Sequence, residues 1–349
     1  MQKFHLSRAA FAAGFMLVAT IAIAADNEGD GQARGAPLAE LITTDNIERT
    51  APMDPTAPGG AKRVSRAPTL PMLTTVSRMA DAENASTTPP DADVERAFRT
   101  GLSSAMTSTG RMPSGGDPAM KERKVFGDDD RINISETDRF PFRAFGYLQI
   151  LKQDDKIVSC SATLIGPRTV LTAAHCLYDH ENGWRKRFVF VPGMKDGSTA
   201  PFGAYEFESA SIMQGYIDFY QGYYGSVMDW DIGVVTLKQN AGNTAGWLQI
   251  AHNPDLAGFT ANIIGYPGDK PVGTMWRATC DVADNAIGQL TFTYQCDTFP
   301  GSSGSAVYDY DPETKTRYIM GVNVAENQIA NTAVRLNAVY FEWVNSHIK

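Results

Sequence analysis

Three side chains set far apart in this chain could together cleave an acyl bond: the imidazole of His175, the carboxylate of Asp231 and the hydroxyl of Ser303. A serine hydroxyl is a weak nucleophile near neutral pH and needs an adjacent base to take its proton. Ser303 lies in GSSGS, residues 301–305. Glycine adopts backbone angles closed to other residues, so the N–H groups of Gly301 and Ser303 could converge on the oxyanion formed by attack on a carbonyl. Losing one such donor typically costs roughly 100- to 1000-fold in rate. Small-residue runs are mostly ordinary turns, so GSSGS gains meaning only from what lies upstream. TLIGPRTVLTAAHC ends at His175 and Cys176, where a short turn of small residues follows an apolar strand. Asp231 heads the apolar run in MDWDIGVVTL and could accept the second ring N–H of His175, fixing its tautomer. Asp229 is the rival carboxylate, disfavoured because the apolar strand follows Asp231 directly.

The elements that must hold these groups are strands. From about residue 125 onward, short apolar runs alternate with Gly, Pro, Asn and Asp turns: FGYLQIL (145–151), IVSCSATLI (157–165), RFVFVP (187–192), IGVVTLK (232–238), ANIIGY (261–266), LTFTYQ (290–295), SAVYDY (305–310) and RYIMGVNVA (317–325). Many short strands with close turns predict an all-β barrel or sandwich. Val339, Tyr340, Trp343, Val344 and Ile348 recur at helical spacing and predict a C-terminal helix over 337–348.

The first part of the chain has another texture. Lys3, His5 and Arg8 precede an apolar run from Ala9 to Ala24 that closes on Ala22-Ile23-Ala24, the pattern of an export signal over 1–24. Residues 25–124 are rich in Ala, Thr, Pro, Asp and Gly, with APMDPTAPGG at 51–60 and TTPPDAD at 87–93. Such a segment buries little surface and reads as a largely disordered, removable propeptide, with one short helix from Asp93 to Met106. The strand-rich region is then 125–349.

The 349 residues carry a net charge of −8, which argues against a nucleic-acid footprint and against attraction to anionic membranes. Export implies an oxidising compartment, so Cys160, Cys176, Cys280 and Cys296 are expected to form two disulfides. Four cysteines allow three pairings, and spacing alone does not choose among them. Metal ligation is disfavoured, since no C-x-x-C occurs and the histidines are scattered. No cofactor and no metal is expected. The expected state is a monomer, periplasmic or secreted, without a membrane anchor once the signal is removed. An acyl-cleaving site and a removable segment would imply protein or peptide substrates and an activating protease as partners.

TAAHC, then DI before an apolar strand, then GSSGS, in the order His–Asp–Ser, resembles the chymotrypsin-like serine proteases. The similarity is greatest to the bacterial glutamyl endopeptidases. VFGDDDR (125–131), PFRAFGYLQI, SCSATLIGPRTVLTAAHC, GYPGDKPVGTMW (265–276) and YQCDTFPGSSGSAV (294–307) follow in that branch's order. The resemblance covers about 125–349. It implies two six-stranded antiparallel β-barrels with a cleft between them. It also implies that Ser303 attacks, His175 shuttles the proton and Asp231 orients His175, with the amides of Gly301 and Ser303 forming the oxyanion hole.

In that branch a threonine or serine five residues before the nucleophile, a histidine on a later strand and the mature N-terminal amine bind the substrate's glutamate. Thr298 fits the first position, and Val125 fits the last if the chain is cut after Lys124. The histidine position holds Asn323, which can donate a hydrogen bond but carries no charge. Asp297, six residues before Ser303, stands at the offset where trypsin-like enzymes carry the aspartate that binds Lys or Arg, and Glu326 could line the same pocket. Cleavage after Glu or Asp is the leading expectation and cleavage after Lys or Arg its rival. Two other classes compete: a protease-like binding module without activity, which an intact His, Asp and Ser set opposes, and a small-ester hydrolase of another fold. The latter would carry the order Ser–Asp–His among alternating helices and strands.

Overall fold

A computed structural model describes residues 69–102, except 83, and residues 125–349, except 328. The expected export signal, Lys124 and residues 25–68 and 103–124 of the expected propeptide lie outside the described residues.

The chain enters with β1 (Thr75–Met79) and β2 (Ser86–Thr88), then a helix Ala92–Ala97 that passes into a π-turn over Phe98–Leu102. The helix starts close to its predicted place. Asp91 caps it, accepting from the N–H groups of Asp93 and Val94, which satisfies two of the donors a helix start leaves orphaned. Val94 and Ala97, two of the periodic apolar positions, are buried. This part of the segment is thus ordered, although its composition holds few core-forming residues.

After β3 (Ile132–Ile134) come β4 (Phe145–Leu151), β5 (Ile157–Leu164), β6 (Thr169–Thr172), the small hairpin β7 (Tyr178–Asp179) and β8 (Gly183–Trp184), then β9 (Arg187–Pro192), β10 (Tyr205–Met213) and β11 (Gly233–Leu237). The strands pair in the order β11-β6-β5-β4-β9-β10, and β10 returns to β11, so the sheet closes on itself as a six-stranded barrel. Closure pairs β10 with β11, so neither is left as the outer strand of an open sheet. Leu148, Ile150, Leu164, Val170, Phe188 and Phe190 fill its interior at 2% exposure or less. β10 serves two partners. Tyr205 and Glu206 pair with β9, and beyond a bulge Ser209–Met213 pair with β1.

The second half holds β12 (Gln249–Ile250), β13 (Phe259–Gly265), β14 (Met275–Val282), β15 (Thr291–Tyr294), β16 (Ala306–Asp311), β17 (Thr316–Glu326) and β18 (Asn331–Arg335). Their order is β15-β18-β17-β16-β13-β14-β3, with β12 parallel on β17. A closed six-stranded barrel is the sequence-based expectation here. Among the described residues no ladder joins β14 to β15, so this sheet is open at one seam. Part of the outer edge of β14, Met275–Arg277, is taken by the N-terminal strand β3. The Cys280–Cys296 disulfide bridges the seam instead, from within β14 to just beyond β15. Cys160 pairs with Cys176, so both bonds take the local connectivity.

The helix Ala338–Asn345 follows its predicted place, capped by Asn337, whose side chain accepts from Tyr340 N–H. Val339, Tyr340, Trp343 and Val344 are buried against the first barrel's core. No helix among the described residues is long and apolar enough to cross a membrane.

Candidate active site

His175 sits in the helical turn Ala174–Leu177 that directly follows β6. The Cys160–Cys176 disulfide ties this turn back to β5. Asp231 ends the 3-10 turn Met228–Trp230, immediately before β11. Because β6 and β11 are neighbours in the barrel, their adjacent ends bring imidazole and carboxylate together. Asp231 is wholly buried and holds His175 at two points: Oδ1 accepts the His175 backbone N–H at 2.8 Å, and Oδ2 lies 2.6 Å from Nδ1. This grip leaves Nε2 as the free face of the ring. The backbone carbonyl of the rival Asp229 accepts the Tyr340 hydroxyl at 2.8 Å, and the His175 ring is held by Asp231.

A third group reaches Asp231 that the sequence does not reveal. The Tyr224 hydroxyl is within hydrogen-bond distance of Asp231 Oδ2 and, at 2.9 Å, of the Val324 carbonyl on β17. Its ring meets the His175 ring edge-on, with centroids 5.8 Å apart. A phenol has a single proton to donate, so Tyr224 shares it between the carboxylate of one barrel and the backbone of the other.

The 301–305 loop is held against the His175 turn. The Ser303 carbonyl accepts the Ser161 N–H at 2.8 Å and lies 3.9 Å from Cys176 Sγ. Gly301 and Gly304 both have positive φ, +105° and +83°. A Cβ on Gly301 would come within 2.5 Å of the Tyr266 carbonyl, and one on Gly304 within 2.3 Å of the Ser161 carbonyl. Only glycine fits at either place. The Ser302 N–H donates to Phe299 O and the Gly304 N–H to Asn323 O. Among the described residues neither the Gly301 nor the Ser303 N–H finds an acceptor, so both could donate to an added oxygen.

Ser161 is a second group that sequence reasoning overlooks. Its hydroxyl donates to Gly301 O at 2.8 Å and accepts the Tyr266 N–H at 2.9 Å, fully buried between the barrels. Its place beside Cys160 in a strand gave the only hint.

The expected substrate-binding positions separate into two kinds. Thr298 is buried and its hydroxyl has no hydrogen-bond partner among the described residues. Asn323 is also buried, but its amide is engaged: Oδ1 accepts the Tyr294 hydroxyl at 2.5 Å and Nδ2 donates to Ser302 O at 3.2 Å. Asn323 therefore braces the loop that carries Ser303.

Asp297 is 4% exposed and turns toward the start of the protease region. Oδ1 accepts Phe126 N–H at 2.6 Å and Oδ2 accepts Asp130 N–H at 3.2 Å. Burial pushes its carboxyl above the ordinary aspartate value, and the two amides oppose that shift. The same N-terminal segment is moored by Arg131, whose side chain is 2% exposed and hydrogen-bonds both Asp129 and Asp269. The Arg131 hydrogen bond holds the Asp129 carboxyl well below the usual carboxylate range. Val125 lies half-buried at the head of this segment. Glu326 is buried at the end of β17.

The ligand atoms of Cys160, His175 and Cys176 fall within 4.8 Å of one another, but the two sulfurs are bonded to each other and cannot bind a metal as thiolates.

Residues 160–313 match the model of the trypsin-like peptidase domain. The chain is 30% identical to the extracellular metalloprotease of Bacillus subtilis strain 168, over 62% of this chain and 67% of that protein. It is 31% identical to the glutamyl endopeptidase of Bacillus licheniformis, over 59% of this chain and 64% of that protein. The chain thus spans about two thirds of the length of these relatives. A solved Glu endopeptidase in complex with MPD superposes with a TM-score of 0.55 at 30% identity, covering 64% of this chain and 98% of that one. By barrel architecture, site geometry and these similarities, the chain belongs to the trypsin-like serine peptidases, on the branch that holds the glutamyl endopeptidases.

Proposed function

We propose that this chain is an exported serine endopeptidase that cleaves peptide bonds through Ser303, His175 and Asp231 and prefers an acidic residue before the cut. The observation that carries the reading is the two-point grip of Asp231 on His175 beside the loop that presents Ser303. In the proposed reaction Ser303 Oγ attacks the scissile carbonyl carbon while His175 Nε2 takes its proton. The oxyanion is received by the N–H groups of Gly301 and Ser303. The imidazolium returns the proton to the departing amine, and water, activated by the same nitrogen, releases the acyl group and restores the Ser303 hydroxyl.

The preference for Glu or Asp is supported by Thr298, whose buried hydroxyl is unspent, and by Asp297. The Asp297 carboxylate is already engaged by two backbone amides, which counts against its serving as the receptor for a Lys or Arg side chain. The branch similarity points the same way. A cut before Val125 would free an amine a residue away from the Phe126 amide that Asp297 holds. In this reading, export is supported by the two disulfides and by the relative named as extracellular.

The test is labelling by a fluorophosphonate, with Ser303→Ala as control, followed by profiling on peptides that differ only in Glu, Asp, Gln or Lys before the scissile bond. Labelling that persists in Ser303→Ala removes the nucleophile assignment. Faster cleavage after Lys than after Glu removes the acidic preference. Sequencing the N-terminus of active enzyme tests the processing step, and a terminus far upstream of Val125 refutes it.

A further inference from the structure

Residues 69–102 are assigned above to a removable segment, yet they are built into the first barrel. β1 lies along Ser209–Met213 of β10 over five residue pairs, from Thr75↔Met213 to Met79↔Ser209. The ladder is extended at both ends by Gln214 N–H to Thr74 O and Ala80 N–H to Glu208 O, each 2.8 Å. Side chains add to it: the Ser77 and Ser211 hydroxyls are 2.7 Å apart, and Trp343 Nε1–H donates to Thr75 Oγ1 at 2.9 Å. Leu73 and Val94 are at most 1% exposed and Val76 5%, all within the same core as Trp343 and Tyr340. The helix Ala92–Ala97 packs on the C-terminal helix Ala338–Asn345.

What the segment covers explains why it is needed. β9 leaves β10 after Glu206, so without β1 the Ser209–Met213 edge would present bare N–H and C=O groups. β1 pairs that edge. β2 follows on its far side, fully exposed, and Pro89-Pro90 ends it. Proline lacks the N–H a further strand would need, so the new edge is blunted. Its ladder on β10, the Ser77–Ser211 pair, the Arg78 contact with the Arg185 carbonyl and the Trp343–Thr75 bond tie the segment to the first barrel and the C-terminal helix.

We infer that, once the chain is cut before Val125, residues 69–102 stay on the barrel as a non-covalent subunit of the enzyme. The inference rests on the processing reading given above. Strand addition supplies backbone hydrogen bonds, and buried Leu73, Val76 and Val94 supply apolar contact.

The experiment uses the full chain carrying Ser303→Ala, with the recognition sequence of a foreign protease placed within residues 103–124. The nick is then independent of natural maturation. After nicking, the two pieces are expected to co-elute at 1:1 on gel filtration and in native mass spectrometry. Hydrogen exchange at the Ser209–Met213 amides is expected to match the uncut chain. Val76→Asp is expected to speed release of the segment at least tenfold. Should that variant not fold, the release rate of the parent is read by chasing with isotope-labelled synthetic 69–102. A segment that separates on the first column, leaving 125–349 with unchanged melting temperature and exchange, overturns the inference. An active native enzyme found uncut near residue 124 would sink the processing reading while leaving the nicked-protein result to stand by itself.

Discussion

Replacing Tyr224 by phenylalanine removes one hydroxyl and leaves the ring in place against His175. Asp231 then keeps the two donors from His175 and loses the third. A buried hydrogen bond to a charged acceptor contributes about 1.5–3 kcal/mol. If that whole contribution supports the imidazolium-bearing transition state, the rate falls by about 10- to 150-fold, at roughly 1.4 kcal/mol per tenfold. The lower part of that range is expected, because part of the bond is made equally in the ground state and part of the donor's effect goes to the Val324 carbonyl. Tyr224 is 8% exposed, and its hydroxyl is spent on Asp231 and the Val324 carbonyl. The loss should therefore appear in kcat, with KM within about twofold of the parent. Steady-state kinetics on a Glu-containing peptide measure both. A double-mutant cycle with Asp231→Asn separates a positioning role from general loosening: in the Asp231→Asn background, Tyr224→Phe should cost less than about threefold. A full-sized, additive loss in that background, or an effect confined to KM, would refute the assignment.

Three further outcomes follow from the geometry. Thr298→Val should lower kcat/KM for a Glu substrate by about 10- to 100-fold, from loss of a charge-assisted hydrogen bond, and should lower it far less for a Gln substrate; equal losses on both would remove Thr298 from carboxylate recognition. Replacing Cys280 and Cys296 by serine opens the seam of the second sheet, whose loop spans 16 residues. The chain-entropy model puts the destabilisation near 3 kcal/mol, read as a lower denaturation midpoint. Asp129, finally, links the N-terminal mooring to pH. Its carboxyl is held below its ordinary 3.8 by the Arg131 hydrogen bond, so its contribution is complete above 3.8 and fades as pH falls below it. Asp129→Asn should flatten that acid limb in thermal melts, and an unchanged limb would show that other groups set it.

The residues of the candidate site were legible where the chemistry is local. His175 and Ser303 each sit within short strings of small residues that leave few other uses. Asp231 was separable from Asp229 because β11 begins right after it. Tyr224 was not legible: it stands in a loop with Tyr220 and Tyr223, and nothing in spacing says which phenol turns inward. The role of Asn323 was hidden for a related reason. Its position suggests a pocket, while its contacts with Tyr294 and Ser302 depend on a long-range fold. The strands were readable from their near-continuous apolar runs, yet the open seam was not, because strand partners such as β3 on β14 come from far apart in the chain. Residues 69–102 escaped a compositional reading because they build no core of their own. A handful of apolar side chains inserted into an existing core is enough to order them.

The mooring of residues 126–131 has a consequence for how such an enzyme would switch on. Asp297 grips Phe126 and Asp130 while the chain is still continuous, and Arg131 locks the same stretch to Asp269. Severing the peptide bond before Val125 would then have little to rearrange. It would introduce one positive charge beside a stretch already held in place, so that onset of activity would be governed by the appearance of an ammonium group rather than by the travel of a loop.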